Sequence, residues 1–336
     1  NDKRWILQRQ ISKRFKKTYQ RRGRRSNILI MPRHISLVFP GQGSQHIGML
    51  ESIDSYLIDE VKPIVDSALN FNLIDLINNG SPEDLNRTSI TQPALLLSSY
   101  LSYRQLKSSI DFNADVLCGH SLGEYSALVI GESLNLEQGL KLVHQRGLLM
   151  EKCKPGSMYA ILNCNLDKIT NYCEQVQNKL NLEVSPANIN SPKQIVIAGD
   201  VDAAEEVIKM LKNDGVRKCI KLQVSVASHS KLMTDAANDF EKIVNSINLK
   251  LPNIELIHNF NASSSSDIHE LKSNLIKQLT NPVQWIKTME YLKRKNSIII
   301  ECGPNKVLTG IAKSNDLETI VSTSKVDYIE TLKNLL

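Results

Sequence analysis

The segment around Ser121 constrains the fold of this 336-residue chain more than any other. The apolar run Asp115–Cys118 predicts a short buried strand, and the residues EYSALVIG predict a helix after it. Between them stands Gly119-His120-Ser121-Leu122-Gly123, and a G-x-S-x-G sequence in this context is typical of a nucleophile elbow. Its glycines permit the tight turn, and the helix directs amide N–H groups at developing negative charge. Ser121 is therefore a candidate nucleophile, although three small residues also form such a motif by chance.

The composition is that of an ordinary globular protein, with 41% hydrophobic and 23% charged residues. No apolar run reaches a length of about eighteen residues, so no membrane span is expected. The six cysteines form no C-x-x-C pair, and we interpret them as free, mostly buried thiols in a reducing compartment. The sequence has no H-E-x-x-H motif and no Cys/His cluster, so we expect neither a metal site nor a cofactor.

Residues 1–33 form a basic arm that holds twelve Lys or Arg and the single acid Asp2. The whole chain has a formal net charge of +6, but the remainder has 29 bases and 34 acids, a net charge of −5. An Arg-rich, almost acid-free segment is typical of an organelle targeting peptide, and we expect the arm to be disordered. A nucleic-acid-binding tail and a membrane-surface helix are the alternatives, but nothing in the remainder supports nucleic-acid recognition.

The order of the predicted elements indicates an α/β fold with two parts. Between about 156 and 224 the order is βαββαβ, which predicts a ferredoxin-like unit. We therefore predict a small ferredoxin-like subdomain at 155–224. It is inserted in a large catalytic α/β subdomain, of the α/β-hydrolase-like type, formed by residues 34–154 and 225–336.

Four further predicted elements bear on the candidate site. ISLVF at 35–39 predicts a buried strand that leads into the loop Pro40–Gln45. A helix is predicted at 92–108, where the pair Gln-Pro suits a helix start. ELIHNF at 255–260 predicts a strand, and a helix is predicted at 267–279.

A serine hydroxyl with its ordinary pKa is a poor nucleophile and needs a base. His229 is the best candidate because it falls between a predicted strand and a predicted helix, and a structural role is the alternative. His144 lies on a predicted helix, where packing or solvent contact is expected. The other histidines besides His120 have weaker contexts: His34, His46, His258 and His269.

Eight short sequences stand in order along the chain: FPGQGSQ (39–45), TQPAL (91–95), GHSLGEYSAL (119–128), QRG (145–147), NSPKQIVIAG (190–199), VASH (226–229), NPVQW (281–285) and GPNKVLTG (303–310). In this order, over about residues 35–312, they resemble the malonyl-CoA:acyl-carrier-protein transacylase family. Together they are far more specific than the serine motif alone. The resemblance implies an acyltransferase that moves malonyl from malonyl-CoA to acyl carrier protein for fatty-acid synthesis.

The resemblance also implies a role for each matching residue. Ser121 would be the nucleophile and His229 its general base. The backbone carbonyl of Gln278, in place of a carboxylate, would orient the His229 ring. Such a carbonyl fixes the tautomer without adding a full charge, so His229 should be a milder base than in a Ser-His-Asp triad. The backbone N–H groups of Gln42 and Leu122 would form the oxyanion hole.

The resemblance places the substrate contacts on three further residues. Arg146, in the QRG sequence, would bind the free malonyl carboxylate through two parallel charge-assisted bonds, and a surface salt bridge is the alternative. Asn188 matches a family position near the active site. His120 would support Arg146 or the turn and would not act as a base.

Two positions depart from the usual pattern of the family without removing a catalytic group. Ala227 stands where many relatives have Pro, and Asn305 replaces a Gly in the GPNKVL turn. Ser228 is less bulky than the Phe of some relatives, so a small branched acyl group could be tolerated.

Three rival functions remain open at this stage. A serine hydrolase, either an esterase or a thioesterase, would use the same elbow, but its acyl pocket should be apolar and Arg146 argues against it. A non-catalytic scaffold or a nucleic-acid binder is the second rival. A domain cut from a modular synthase is the third, and the basic arm and the close end at Leu336 favour a free-standing enzyme. We expect a monomer in an organelle with a bacterial-type fatty-acid pathway, plastid-type or mitochondrial.

Overall fold

The computed structural model describes residues 34–224 and 226–336, and the basic arm predicted at 1–33 lies outside these residues. Two β-sheets organise the described part. The first sheet has the order β7-β2-β1-β8-β9, and all its neighbouring strands are parallel. Its strands are β1 (Ile35–Phe39), β2 (Val116–Gly119), β7 (Glu255–Ile257), β8 (Ile298–Glu301) and β9 (Ile320–Ser322).

The second sheet is antiparallel and has the order β4-β5-β3-β6. Its strands are β3 (Ser157–Leu162), β4 (Val184–Ser191), β5 (Gln194–Gly199) and β6 (Lys218–Lys221).

The helices connect these strands. They are α1 (Ser55–Ala68), α2 (Leu73–Asn79), α3 (Pro82–Leu85), α4 (Thr88–Ser109), α5 (Gly123–Ile130), α6 (Leu136–Glu151), α7 (Leu166–Leu180), α8 (Val201–Asn213), α9 (Thr234–Ser246), α10 (Ile268–Lys277), α11 (Trp285–Arg294), α12 (Val307–Lys313) and α13 (Tyr328–Lys333), with a 3₁₀ turn at Lys231–Met233. Within the described ranges, none of them has both the length and the apolar character needed to cross a membrane.

The parallel sheet is buried on both faces, as its nearly continuous apolar strands require. In β1, Leu37 and Phe39 belong to one hydrophobic cluster and Val38 to the other, because successive side chains of a strand point to opposite faces. The carboxyl ends of β1 and β2 lie side by side, with Phe39 opposite Gly119. The loops that follow these two strands therefore leave the sheet at the same edge.

The antiparallel sheet has the connectivity of a ferredoxin-like unit. Helices α7 and α8 follow β3 and β5, and Ile161 and Ile197 pack under them in one cluster. The other face of the sheet, which includes Ala160 and Val196, packs against Ala227, two residues before His229. The predicted fold class, a parallel α/β part with an inserted antiparallel unit, is confirmed. All four strands lie inside 155–224, and the exact subdomain boundaries stay a prediction.

Two predicted elements differ from those in the structure. Helix α4 begins at Thr88 and not at Gln92, so Pro93 lies inside it. Residues 88–99 are all buried, so tertiary packing outweighs the local preference of Pro for the first turn. Strand β7 ends at Ile257, although the sequence predicts a strand through Phe260. The chain turns there because His258 and Asn259 bond to side chains and backbone near Ser121.

Candidate active site

Ser121 lies on the turn between β2 and α5, in the left-handed region with φ of 51°. Such a conformation is uncommon for a residue with a side chain and is typical of a nucleophile elbow. The two glycines of the motif are needed for close approach. A Cβ on Gly119 would lie 1.8 Å from the Gly123 carbonyl carbon, and one on Gly123 would lie 2.0 Å from the Phe39 oxygen.

The Ser121 hydroxyl lies against the ring of His229. Its Oγ is 2.7 Å from His229 Nε2, and His229 Nδ1 is 2.7 Å from the backbone oxygen of Gln278. A carbonyl only accepts, so Nδ1 carries the proton and donates it to Gln278. Nε2 is then free to accept the hydroxyl proton of Ser121. This is the arrangement of a serine and a general base.

The position of His229 follows from the end of helix α10. The last carbonyls of a helix have no partner within the helix, and Gln278 directly follows α10. His229 takes two of the carbonyls in this segment, since its N–H donates to Leu279 O at 3.0 Å while its ring donates to Gln278 O. His229 also lies in the left-handed region, with φ of 63°.

The environment keeps the His229 ring neutral. Burial and, to a smaller extent, the positive charge of Arg146 lower its pKa from 6.5 to about 3, with a minor contribution from His120. The Gln278 carbonyl acts in the opposite direction, but as a neutral acceptor it does not compensate for burial. His229 is therefore unprotonated and ready to accept a proton over the ordinary pH range.

Arg146 lies on helix α6, whose start is fixed by a capping box of Asn135 and Gln138. Its side chain is 1% exposed and stacks over the ring of Tyr125, 5.3 Å from the ring centroid. Nη1 donates to Gln92 Oε1 and Nη2 to Gln278 Oε1, each at 2.9 Å.

The guanidinium of Arg146 is not fully used by the protein. Its Nε is buried without a hydrogen-bond partner, and in the described part of the chain it pairs with no carboxylate. A buried cation without a counter-ion is costly, so this site is suited to a ligand with a negative charge. Gln278 joins it to the nucleophile, because Gln278 Nε2 donates to Ser121 O at 3.0 Å.

Two backbone N–H groups at the site lack a protein acceptor. Within residues 34–224 and 226–336, neither the Gln42 nor the Leu122 N–H makes a hydrogen bond to the protein. The loop that carries Gln42 lies against the elbow, since a Cβ on Gly41 would lie 2.5 Å from His120 O. Leu122 directly follows the serine. These two groups have the free donors that an oxyanion hole requires.

The sequence left open whether His120 supports Arg146 or the turn, and it placed Asn188 only near the active site. His120 Nε2 lies 2.8 Å from Asn190 Oδ1, and its ring packs edge-on against Trp285. Burial lowers the His120 pKa. The hydrogen-bonded neighbour of His120 is therefore Asn190 on β4, two residues beyond Asn188. The Oδ1 of Asn188 is buried without a partner among the described residues.

Four functional neighbours were missed by sequence reasoning. Glu124, Asn259 and His258 form a buried layer next to the elbow, and Gln92 holds Arg146. Glu124 and Gln92 stand inside the matched strings GHSLGEYSAL and TQPAL, which was a usable signal. His258 and Asn259 lie inside the strand predicted at 255–260, and no motif of the sequence marks them.

The described residues contain no group of three or more His, Cys, Asp or Glu that could hold a metal ion. The groups that the site offers for chemistry are Ser121, His229, Arg146 and two backbone N–H groups without a protein acceptor. A nucleophilic serine with a base, an oxyanion hole and a buried cation can bind an acyl group that carries a carboxylate and transfer it through an ester.

Comparison with known proteins identifies the class of protein to which this fold belongs. The family model described as "Acyl transferase domain" matches residues 36–324. Residues 36–324 thus form an acyl transferase domain.

Individual relatives identify one family within the acyl transferases. The malonyl CoA-acyl carrier protein transacylase of Haemophilus influenzae is 38% identical over 295 residues, which are 85% of this chain and 94% of that protein. The enzyme of that name from Escherichia coli K12 is 37% identical over 83% of this chain and 91% of its own length. The chain belongs to the malonyl CoA-acyl carrier protein transacylase family.

Solved structures agree. The transacylase of that family from Coxiella burnetii superimposes with a TM-score of 0.86 at 35% identity, over 90% of this chain and 97% of that one. A malonyl-transacylase solved in complex with its type II polyketide acyl-carrier protein superimposes with a TM-score of 0.84 at 33% identity, over 90% and 99% of the two chains.

Proposed function

We propose that this protein transfers malonyl from malonyl-CoA to the phosphopantetheine thiol of acyl carrier protein, through a malonyl ester on Ser121. The observation that carries the proposal is the shared residue Gln278. Its backbone oxygen orients His229, and its side chain contacts both the Ser121 carbonyl and the buried Arg146. The relatives named above act on the same donor and acceptor by their names, and one neighbour was solved with its acyl-carrier protein.

The first half of the reaction acylates the enzyme. His229 Nε2 takes the Ser121 hydroxyl proton while Oγ attacks the thioester carbonyl of malonyl-CoA. The N–H groups of Gln42 and Leu122 bind the oxyanion that forms on the carbonyl oxygen. When the carbon–sulfur bond breaks, His229 returns the proton to the departing thiolate. Coenzyme A leaves as a thiol, and Ser121 retains malonyl as an ester.

The second half is the same chemistry in reverse with a different thiol. The phosphopantetheine thiol of acyl carrier protein gives its proton to His229 Nε2, and its sulfur attacks the Ser121 ester. The oxyanion is bound as before, and the ester carbon–oxygen bond breaks. His229 then protonates Ser121 Oγ, so the enzyme returns to its starting state.

Arg146 supplies the preference for a carboxylated acyl group. Its buried Nε and the N–H groups not used by Gln92 and Gln278 offer donors to the free malonyl carboxylate. By fixing the acyl group, Arg146 also favours attack by a thiol over attack by water. This second effect is tested by the hydrolysis rate of the acyl-enzyme, which should rise in Arg146→Ala.

Mass spectrometry of the intact protein tests the proposal. After brief exposure to malonyl-CoA, the wild type should gain the mass of one malonyl group, and Ser121→Ala should gain none. Addition of holo acyl carrier protein should remove the label and place it on the carrier. A wild type that remains unlabelled would contradict the proposal. If the label were lost as free malonate at the same rate with and without the carrier, the protein would be a hydrolase.

We further propose that the enzyme is a free-standing monomer that serves fatty-acid synthesis in an organelle, plastid-type or mitochondrial. The Arg-rich composition of residues 1–33 supports the organelle assignment alone. A reporter fused behind residues 1–33 should enter that organelle, and a variant with the eight arginines of this segment changed to Ser should remain outside. Sedimentation of the purified protein tests the monomer.

A further inference from the structure

A buried polar network lies next to the catalytic residues, and it is centred on Glu124. We call Glu124, His258, Asn259 and Gln278 the Glu124 network. Each of the four side chains is at most 1% exposed. Glu124 is the second residue of α5, three positions after Ser121, while the other three come from the segments that follow β7 and α10. The network therefore joins three segments that meet only in the folded protein.

Glu124 accepts three hydrogen bonds, although it forms no ion pair with a Lys or Arg among the described residues. Oε1 lies 2.7 Å from His258 Nδ1, and Oε2 accepts from Gln278 Nε2 at 2.7 Å and from the Asn259 N–H at 3.0 Å. These hydrogen bonds compensate for the cost of burying a carboxylate. Glu124 therefore acts as a fixed acceptor to which two neighbouring segments are bound.

The first consequence concerns the Gln278 side chain. An amide could rotate by half a turn and exchange its oxygen with its nitrogen at little steric cost. Here a rotated amide would place the NH₂ group against Arg146 and the oxygen against the Glu124 carboxylate. Both contacts would be repulsive. Glu124 thus dictates that Gln278 Oε1 faces Arg146, where it holds Nη2 at 2.9 Å.

The second consequence concerns the backbone of the elbow. The Asn259 N–H is bound to Glu124, and the Asn259 side chain accepts from the Ser121 N–H at 2.6 Å and donates to Gly119 O. Gln278 Nε2 meanwhile donates to Ser121 O. Both polar groups of the Ser121 backbone are therefore held by residues that Glu124 holds in turn.

His258 anchors the carboxylate from the other side. Its Nε2 lies 2.7 Å from Ser265 Oγ, and Ser265 Oγ accepts from Asn274 Nδ2 at 3.1 Å. With the Ser265 hydroxyl donating to Nε2, His258 carries its proton on Nδ1 and donates it to Glu124. Glu124 has no other donor to Oε1 among the described residues.

The separation of Glu124 from Arg146 by Gln278 has a chemical use. If the carboxylate contacted the guanidinium directly, it would occupy the donors that a substrate carboxylate needs. With one amide between them, Glu124 counters the buried positive charge while Arg146 Nε stays without a partner.

We propose that Glu124, anchored by His258, is the positioning residue that sets the polarity of the Gln278 amide and thereby aims Arg146 at the carboxylate of the acyl group. The inference rests on the proposed function, because it assumes a carboxylated substrate. It assigns no chemical step to Glu124 or His258. It predicts that the loss of Glu124 weakens the choice of acyl group more than it weakens acylation as such.

The test is single-turnover acylation of Glu124→Gln by malonyl-CoA and by acetyl-CoA, measured by mass spectrometry of the intact protein. Gln at position 124 is isosteric but can face Gln278 with either end, so only the Ser121 carbonyl then keeps Gln278 Oε1 turned toward Arg146. The ratio of malonyl to acetyl acylation efficiency should fall roughly tenfold or more. The free energy of a hydrogen bond to a charged group corresponds to a change of at least that size. An equal loss with both thioesters would overturn the inference and leave only a structural role.

Two substitutions of His258 provide a second measurement that does not depend on Glu124→Gln folding. The Asn amide nitrogen can take the place of imidazole Nδ1, so His258→Asn should keep the wild-type ratio. His258→Leu offers no donor and should lower the ratio in the same direction as Glu124→Gln. If Leu and Asn gave the same ratio, the anchoring role of His258 would be excluded.

Glu301→Gln is the matched control. Glu301 is also a fully buried carboxylate with several donors, from Leu308 and Thr309, but it contacts no residue of the Glu124 network. Its loss should lower thermal stability without changing the acyl preference. A wild type that is not malonylated contradicts the proposed function, whereas a malonylated wild type with an unchanged ratio in Glu124→Gln contradicts only this inference.

Discussion

Among the described residues, two Ser–His pairs have nearly the same geometry. Ser121 Oγ lies 2.7 Å from His229 Nε2, and Ser265 Oγ lies 2.7 Å from His258 Nε2. In both, the second ring nitrogen is 2.7 Å from an oxygen, which belongs to the Gln278 backbone in the first pair and to the Glu124 carboxylate in the second. By distances alone, Ser265–His258–Glu124 is the closer match to a catalytic triad.

The two Ser–His pairs differ in their surroundings. Ser121 follows a parallel strand in a left-handed conformation, next to the free N–H groups of Gln42 and Leu122. Ser265 lies in the loop before α10, and its oxygen already accepts from Asn274. A nucleophile needs donors for the oxyanion and a place for the acyl group, so a Ser–His distance identifies a candidate and its neighbours decide its role.

The largest difference between the two Ser–His pairs is expected when each serine hydroxyl is removed in turn. Ser121→Ala should abolish labelling by malonyl-CoA, because no oxygen remains to form the ester. Ser265→Ala should still be labelled in full, since its hydroxyl serves only the network around His258. Mass spectrometry of the two intact variants decides the matter, and labelling that persists in Ser121→Ala but disappears in Ser265→Ala would reverse our assignment.

The next largest effect is expected from the catalytic histidine. His229→Gln keeps a side chain of similar polarity but cannot take the Ser121 proton. Acylation by malonyl-CoA should slow by about 10² to 10⁴, the range of general-base contributions. Pre-steady-state labelling measures the rate. A loss of less than tenfold would mean that another group accepts the proton.

Arg146 should affect selection among substrates rather than the serine itself. Arg146→Ala removes the charged donors for the substrate carboxylate, and kcat/KM for malonyl-CoA should fall by roughly 10- to 100-fold. Arg104→Ala is a suitable control because Arg104 forms a partly exposed ion pair with Glu60 away from the site. Steady-state kinetics on both variants provide the comparison, and equal losses would contradict a specific role for Arg146.

The smallest effect concerns pH and stability. The pKa of His229 is about 3 in the folded protein and 6.5 as the ordinary value. Between these pH values the unfolded chain binds a proton that the folded chain does not, so the free energy of unfolding falls as the pH is lowered. The slope from this residue is at most about 1.4 kcal/mol per pH unit.

His229→Gln should therefore lose less stability than the wild type between pH 6.5 and pH 4.5. Urea unfolding at the two pH values measures the difference. An identical loss in the two proteins would show that His229 is not held neutral by its surroundings.

The sequence could predict the motifs but not the network that supports them. Ser121 stands in a strand–turn–helix context and His229 between a predicted strand and a predicted helix, while Arg146 was assigned through the resemblance of its QRG sequence. Glu124 and His258 are 134 residues apart, and their contact depends on β7 pairing beside β2 in the parallel sheet. A polar residue after an apolar strand gives no local sign of its partner, so the burial of His258 could not be inferred.

The secondary-structure elements were likewise predicted only in part from the sequence. The strand ISLVF was correct to the residue, because five apolar or small residues before Pro-Gly leave few alternatives. The start of α4 was missed because the burial of Thr88–Gln92 is a tertiary property. The βαββαβ order was correct because each strand and helix of the small unit has a pattern that can be read by itself.

The neutral oxygen behind His229 also bears on how readily the proton taken from Ser121 is passed to a thiolate. A carboxylate at that position would stabilise the imidazolium, and the proton taken from Ser121 would then return more slowly to a departing thiolate. With the Gln278 carbonyl, the imidazolium is a strong acid and gives up its proton readily. Exchange between two thiols has almost no free-energy difference of its own, so such an enzyme operates near equilibrium and serves both directions. The relative amounts of coenzyme A and carrier thiol, rather than the catalyst, would then set the direction of malonyl flow.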